Sequence, residues 1–529
     1  MATKPAFKQA SQRTQLDVFL GKAEKPLGRL IFVKDGQREF SQFAYSDEWL
    51  ADAQFFDVSP DLIRQSGYQL RKPATRNDTC FFLALADTEP DAWGRRVIAR
   101  AHAKARAKDA SLGPLTEADY LACVDDFSRV GALRLRDEKG HFVRRVADGA
   151  RSSPVFLELE KILLASRAVE ANQETAEDLA YLQGKGTSLG GMRPKCTILD
   201  SDGALSLGKF PSVNDERSVT RGEVMALRLA QLAGIDSAQA RIVMVQDQPV
   251  AMIRRFDRTS EQNRIPYISG ATLLQANRDD EHSYTEIIDV MRSKCANFMD
   301  DARQLWRRLV FNHLITNVDD HLQNIGFLYS GNNQWRLAPA FDLNPFPDKD
   351  RESKTWLSEQ DGPITDVAML LARADYFALD ATQALAVLGE VVAAVRQWRP
   401  LAQAPAVGLR ADELDGFAPA FEHALFVKSQ VMSLNPAHAV CDAGHKSHAI
   451  DSGMPAVWEP PGLTYASGGD EHGVLRGAHL PALGDTVWLV PGHCDPTVNL
   501  HDWLVGVRGG LAAGRVERLI RVDARGALG

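Results

Sequence analysis

The 529 residues of this chain are too many for one small module and, at roughly 150 residues per domain, suggest about three folding units. With 45% hydrophobic and 25% charged residues, 39 Gly and 25 Pro, the composition excludes a wholly disordered or fibrous protein. A net charge of -8 offers no global attraction to nucleic acid or anionic lipid, although a local basic patch is still compatible with it.

The first elements are short strands: LDVFL, GRLIFV, a KDGQ turn and REFSQFAY, together a small sheet between about residues 14 and 46. Helical patterning follows over Asp91 to Lys108 and Thr116 to Asp125, with Pro90 at a helix start in PDAWG. The charged, Gly-containing stretch from Asp137 to Ser153 marks a boundary. Beyond it, GTSLGGMRPK at Gly186 to Lys195 runs into KCTIL, a DSDG turn and ALSLGKF, a loop-strand-turn-strand unit. A helix with Val224, Leu227 and Ala230 on its apolar stripe ends at Gly234, and the strands ARIVMV and PVAMIRRF follow around QDQ. Asp301 to Ile315 spaces Leu305, Trp306, Leu309 and Leu314 as a buried helix. FLY and QWRL then flank the SGNN turn of a hairpin.

The Pro- and Ala-rich passage Arg399 to Pro419 ends the helical pattern, and the text beyond it changes to short strands with many Gly and His. The expected divisions are therefore 1–136, 150–256, 257–420 and 421–529. Six scattered cysteines, Cys80, Cys123, Cys196, Cys295, Cys441 and Cys494, form no C-x-x-C pair and point to reduced thiols in a cytoplasm. The first twenty or so residues lack the apolar core of a signal peptide, and no stretch approaches the ~18 uncharged residues of a membrane span.

The chemistry concentrates in NVDDHLQN, where Asp319 and Asn324 stand in the D-x-x-x-x-N spacing of a protein-kinase catalytic loop. Phosphoryl transfer needs a carboxylate to accept the attacking hydroxyl's proton and a carboxamide oxygen to hold magnesium on the phosphates; the hairpin then delivers a second metal-binding carboxylate, Asp342. Alone the spacing is common by chance, and a solvated loop with an Asn turn would also produce it. The order of parts is more telling: Gly-containing loop, strand with Lys209, helix with Glu223, hairpin, buried helix, D-x-x-x-x-N, hairpin, Asp. Lys209 would reach the phosphates and Glu223 would hold it, unless Lys209 is a snorkelling surface lysine or Lys195, nearer the loop, takes the role. RRFDR places Arg254 and Phe256 either against the adenine or on a solvated basic turn, and His321 either orients Asp319 or packs the loop.

These motifs, with PDAWGRR at Pro90, GALRLRD at Gly131, TSLGGMRPK at Thr187, GKFPS at Gly208 and LAPAFDLNP at Leu337, resemble the HipA-type serine/threonine kinases, toxins of bacterial toxin-antitoxin pairs, over residues 14–420. The resemblance implies an α+β, two-lobed kinase-like fold with a small N-terminal β-containing subdomain and a mostly helical C-lobe. It further implies ATP and Mg as cofactors, Asp319 as catalytic base, Asn324 and Asp342 as magnesium ligands and Lys209 as the nucleotide lysine. Ser188, Gly190, Gly191 and Lys195 would belong to the phosphate-binding loop, with Ser188 a site of autophosphorylation that expels the loop. The implied partners are a helix-turn-helix antitoxin of HipB type, which brings DNA only indirectly, and a protein substrate, an aminoacyl-tRNA synthetase; no membrane is involved. The loop departs from the familiar pattern, with Arg193 and Pro194 ahead of Lys195 where other members carry Gln-Glu-Lys. A catalytically silent corepressor is the alternative.

Residues 421–529, with VCDAGHKSHAIDSGMP and VPGHCDPTVNLHDW, resemble instead the C-terminal β-rich part of D-threonine aldolases and D-serine dehydratases. That likeness implies that His493 and Asp495 are a ligand pair sharing one Zn or Mn ion, with Cys494 facing away. A metal- and PLP-dependent D-amino-acid lyase is a further alternative. PLP itself is not expected, because its Schiff-base lysine and phosphate cup come from an N-terminal barrel, and a kinase stands there.

Overall fold

The computed structural model describes residues 12–75, 77–143, 158–183, 191–277, 280–349, 351–421, 425–451, 453–508, 511 and 515–522. The chain divides into two units, Met1–Phe421 and Glu422–Gly529.

The first unit is α+β and two-lobed. Its opening sheet is wholly antiparallel, in the order Gln69–Arg71, Arg38–Tyr45, Lys25–Asp35, Gln12–Leu20, Leu133–Arg136. Alternation along Arg38–Tyr45 turns Ser41, Phe43 and Tyr45 inward. A second antiparallel sheet runs Lys195–Leu199, Leu205–Lys209, Gln248–Arg254, Ala240–Val245. Its first hairpin closes where Gly203, at φ +79°, donates its N–H to Asp200 O, the left-handed corner that DSDG supplies.

One face of this second sheet is covered by the helix Val219–Leu232, buried through Val224, Met225, Leu227 and Leu229. The helix stops as Ile235 N–H returns to Ala230 O across Gly234, at φ +72°. The other face packs on the helices Leu159–Glu170 and Ala92–Lys108: Trp93, Val97, Ile162 and Leu163 share one buried cluster with Cys196, Ile198 and Met252. The Ala92–Lys108 helix, on the N-terminal side of the expected division at 136, thus shares a core with the strands that follow that division.

The second lobe is built on the helix Phe298–Leu314, whose Trp306, Val310 and Phe311 are fully buried. Around it lie Tyr284–Lys294, Ala381–Val395 and a small sheet of Tyr267–Ser269, Gly326–Gly331 and Gln334–Leu337. A single apolar cluster runs without a break from Leu16, Phe32 and Phe43 of the opening sheet to Trp306, Trp398 and Phe417 of this lobe.

Where the chain leaves the second sheet, RRFDR folds inward. Asp257, 3% exposed, accepts Arg255 Nε (2.8 Å) and Nη2 (2.5 Å), Arg258 Nη1 (2.7 Å) and the Gly131 N–H (2.7 Å). The same guanidinium groups donate to the carbonyls of Ser128, Arg129 and Gly131. This is a buried clasp on the 128–131 loop, so the solvated turn that RRFDR could have been is not what forms.

The second unit has a six-stranded antiparallel sheet in the order Ala456–Glu459, Thr486–Val490, Val427–Leu434, Ala439–Cys441, Gly473–Gly477, Leu463–Ser467, closed over Val431, Cys441, Leu475, Val487 and Leu489. A separate ribbon, Trp503–Arg508 with Arg515–Arg521, leaves Trp503, Val505 and Leu519 more than half exposed. Among the described residues, no helix is long and apolar enough to cross a membrane.

Candidate active site

Lys209 ends its strand with the side chain directed inward, and the helix that follows returns Glu223 to it. Lys209 Nζ donates to Glu223 Oε1 and to Asp342 Oδ1, each at 2.6 Å. Burial alone would lower the lysine, but Asp342 and Glu223 outweigh it and hold the ammonium charged well above its usual range. Burial likewise pushes the Asp342 carboxyl up, yet Lys209 and Lys195 overcome that and hold it at about 2. Asp342 adopts φ +54°, a left-handed conformation uncommon for a residue with a side chain, and Asn344 Nδ2 donates to its Oδ1 at 3.0 Å.

Lys195 sits deeper and is almost fully buried, with Nζ 3.1 Å from Asp91 Oδ2. Asp91 also caps the Ala92–Lys108 helix by accepting the Gly94 N–H at 2.7 Å, and the next residue's neighbour, Trp93, donates its N–H to Gly191 O. The Asp91 of PDAWG therefore ties the end of the Gly-containing loop to a helix start. A Cβ on Gly191, at φ +89°, would stand 2.9 Å from Lys195 Nζ. Lys209, with Glu223, is the lysine that meets Asp342; Lys195 braces the loop. Ser188 and Gly190 lie outside the described residues.

A cleft of about 500 Å³ gathers Gly191, Lys209, Glu223, Asn324 and Asp342 on its walls, with Phe256 and Phe341 on its apolar side. Phe256 packs on Phe341 at 5.5 Å between ring centroids. Arg254 borders the same cleft but is half exposed and pairs with Asp202 at 2.7 Å.

The Asp319–Asn324 loop closes on itself: Asn324 Nδ2 donates to Asp319 O at 2.7 Å, which leaves the amide oxygen as the end that can meet a cation. Asp319 is partly exposed; its Oδ1 accepts from Lys354 Nζ and lies 3.8 Å from His321 Nε2. Its neighbour Asp320 points the other way, 5% exposed, accepting the Tyr284 hydroxyl (2.6 Å) and the Lys354 N–H (2.7 Å). Asp91, Asp320 and Lys354 were not among the residues marked by the sequence. Only Asp91 carried a local signal, the helix start of PDAWG.

In the second unit, His493 Nδ1 bonds Asp451 Oδ2 at 2.6 Å, and Cys494 is exposed. The side chain of Asp495 lies outside the described residues. Among the described residues, no group of three or more His, Cys, Asp or Glu is placed to hold a metal ion.

Comparison with known proteins divides the chain at the same place. The family described as "HipA-like C-terminal domain" matches residues 187–399, and that described as "Putative serine dehydratase domain" matches 424–507. A D-threonine aldolase of Arthrobacter is 49% identical over 120 residues, 22% of this chain and 30% of that protein, so the chain spans under a third of this relative. A Sinorhizobium fredii protein named "Putative kinase Y4mE" is 24% identical over 338 residues, 60% of this chain and 75% of that one. The structure of Shewanella oneidensis HipA, determined with HipB and operator DNA, superposes with a TM-score of 0.53 at 15% identity, over 77% of this chain and 95% of that one, a likeness of fold. Residues 187–399 are thus similar to the HipA-like C-terminal domain family, and residues 424–507 to the serine dehydratase domain family.

Proposed function

We propose that the first unit is an ATP- and Mg-dependent protein serine/threonine kinase acting as the toxin of a HipA-type toxin-antitoxin pair. The observation that carries this reading is the meeting of Lys209, Glu223 and Asp342 in one cleft with Asn324. The donor set suits the cofactor: a carboxylate and an amide oxygen are hard ligands of the type magnesium takes. Asp342 and the Asn324 oxygen would hold the ion, which would supply positive charge to offset the negative charge of the phosphates. Lys209, kept charged by its two carboxylate partners, positions the phosphates, and the Phe256–Phe341 wall accepts the base.

The acceptor hydroxyl oxygen attacks the γ-phosphorus as the bond to the β–γ bridging oxygen breaks; the hydroxyl proton passes to the Asp319 carboxylate, and ADP leaves. The protein target would be an aminoacyl-tRNA synthetase, the partner a helix-turn-helix antitoxin, and Ser188 a self-limiting phosphorylation site. No lyase step is assigned to residues 424–507, whose aldolase relatives are matched over 27–30% of their length. Incubation of the full chain with γ-labelled ATP and magnesium should label wild type and leave Asp319→Ala blank; equal label in both would defeat the kinase and favour the silent corepressor.

A further inference from the structure

The segment NVDDHLQN holds a carboxylate that must work beside an anionic phosphoryl group, yet it contains no Lys or Arg. The lysines nearest the nucleotide pocket are committed elsewhere: Lys209 to Glu223 and Asp342, Lys195 to Asp91. Among the described residues, the basic groups facing the Asp319 carboxylate are the His321 imidazole, with Nε2 at 3.8 Å, and the Lys354 ammonium, in contact with Oδ1.

Lys354 arrives there from 35 residues downstream, and its backbone is fixed while its side chain stays 57% exposed. Buried Asp320 accepts the Lys354 N–H at 2.7 Å through its side chain and the Thr355 hydroxyl at 2.7 Å through its carbonyl. Trp356 N–H donates to His282 O at 2.9 Å, and Ser353 Oγ takes the Ile364 N–H at 2.7 Å. An exposed ion pair by itself is weak. Here the backbone of the lysine is nailed to the residue next to the carboxylate, so the pair is built rather than incidental, and Asp319 keeps Oδ2 for the incoming hydroxyl.

We infer that Lys354 is the positioning cation of the phosphoryl-transfer site: its ammonium orients the Asp319 carboxylate and screens it from the negative charge of the phosphoryl group it must work beside. The inference rests on the kinase reading above. It makes the stretch after Asp342 part of the catalytic centre, so that displacing residues 353–356 would switch the enzyme off without touching the nucleotide pocket.

The test uses the full chain with magnesium and ATP, following phosphate release and self-labelling together with Mg-ATP affinity for wild type, Lys354→Met and Lys354→Arg. Lys354→Met should lower kcat by ~10²-fold, the scale of losing one preorganised charge partner, with KM and Mg-ATP affinity within about twofold of wild type. Lys354→Arg should recover most of that loss. A wild-type protein that transfers no phosphate would end the kinase reading and this inference with it. An active wild type beside an equally active Lys354→Met would overturn the inference alone, as would a loss mirrored by weaker Mg-ATP binding, which would make Lys354 a nucleotide ligand. Because the side chain is 57% exposed, its replacement should leave the far-UV spectrum and melting unchanged.

Discussion

Two Asp–Arg pairs formed by consecutive arginines allow the energetics of the clasp to be separated from those of ordinary surface charge. Arg254 pairs with Asp202 at 2.7 Å, with both side chains about half exposed; Arg255 pairs with Asp257 at 2.5 Å, with both side chains 4% exposed. Replacing Asp257 by Asn keeps shape and one acceptor but strands two buried guanidinium groups, Arg255 and Arg258, whose remaining hydrogen-bond partners are uncharged carbonyls and the Thr197 hydroxyl. Breaking a buried pair from one side costs about 3–5 kcal/mol, whereas screening by water holds the exposed pair to under about 1 kcal/mol. At roughly 2–4 °C per kcal/mol, Asp257→Asn should lower the melting temperature by about 10 °C, and Asp202→Asn by only a few degrees at most.

The pH dependence carries a sign. Burial raises the Asp257 carboxyl, but Arg255 and Arg258 outweigh it and hold the group far below the usual carboxylate range. The unfolded chain therefore binds this proton first. The stabilisation is complete above about pH 4, the ordinary carboxyl value, and is lost as pH falls from there toward the folded value. Differential scanning calorimetry of both variants at pH 7 and pH 4 is the assay. Equal costs for the two substitutions at pH 7 would refute the argument from burial.

Gly326→Ala places a Cβ 2.4 Å from Tyr267 Cε2 and 3.0 Å from its hydroxyl, against a ring that neighbours Phe256 at 6.4 Å between centroids; urea midpoints should report a loss of about 1–3 kcal/mol. Thiol titration should find Cys494, which is exposed, reacting first. Cys80 and Cys295, buried and with their thiols pushed far up by desolvation, should react only when the protein unfolds; fast modification of either would contradict their placement.

What could be read from the text was what is local. The turns at DSDG and SGNN lie between the strands they were expected to join, because a hairpin is decided by the residues at its corner. Asn324 meets Asp319 because five residues of loop suffice to bring amide to carbonyl. The Lys209–Glu223 pair was legible from the order of strand and helix. By contrast, Lys354 and Asp320 escaped because nothing near either residue announces the 34- and 35-residue spans across which they bond. RRFDR reads equally as a surface turn until Gly131, 126 residues earlier, presents the N–H that Asp257 takes. The shared core of Trp93 with Ile198 and Met252 is of the same kind, a long-range packing fact that composition blurs into a boundary.

The unbroken apolar cluster from Leu16 to Phe417 makes the opening sheet a structural wall, not an appendage. A fragment trimmed to residues 150–420 would retain each group proposed for phosphoryl transfer, yet would open Tyr329 and Trp335 to water on the side where Phe56, stacked on Tyr329 at 3.9 Å between ring centroids, now stands. Removing residues 12–136 would thus take away part of the second lobe's own interior, not a detachable attachment.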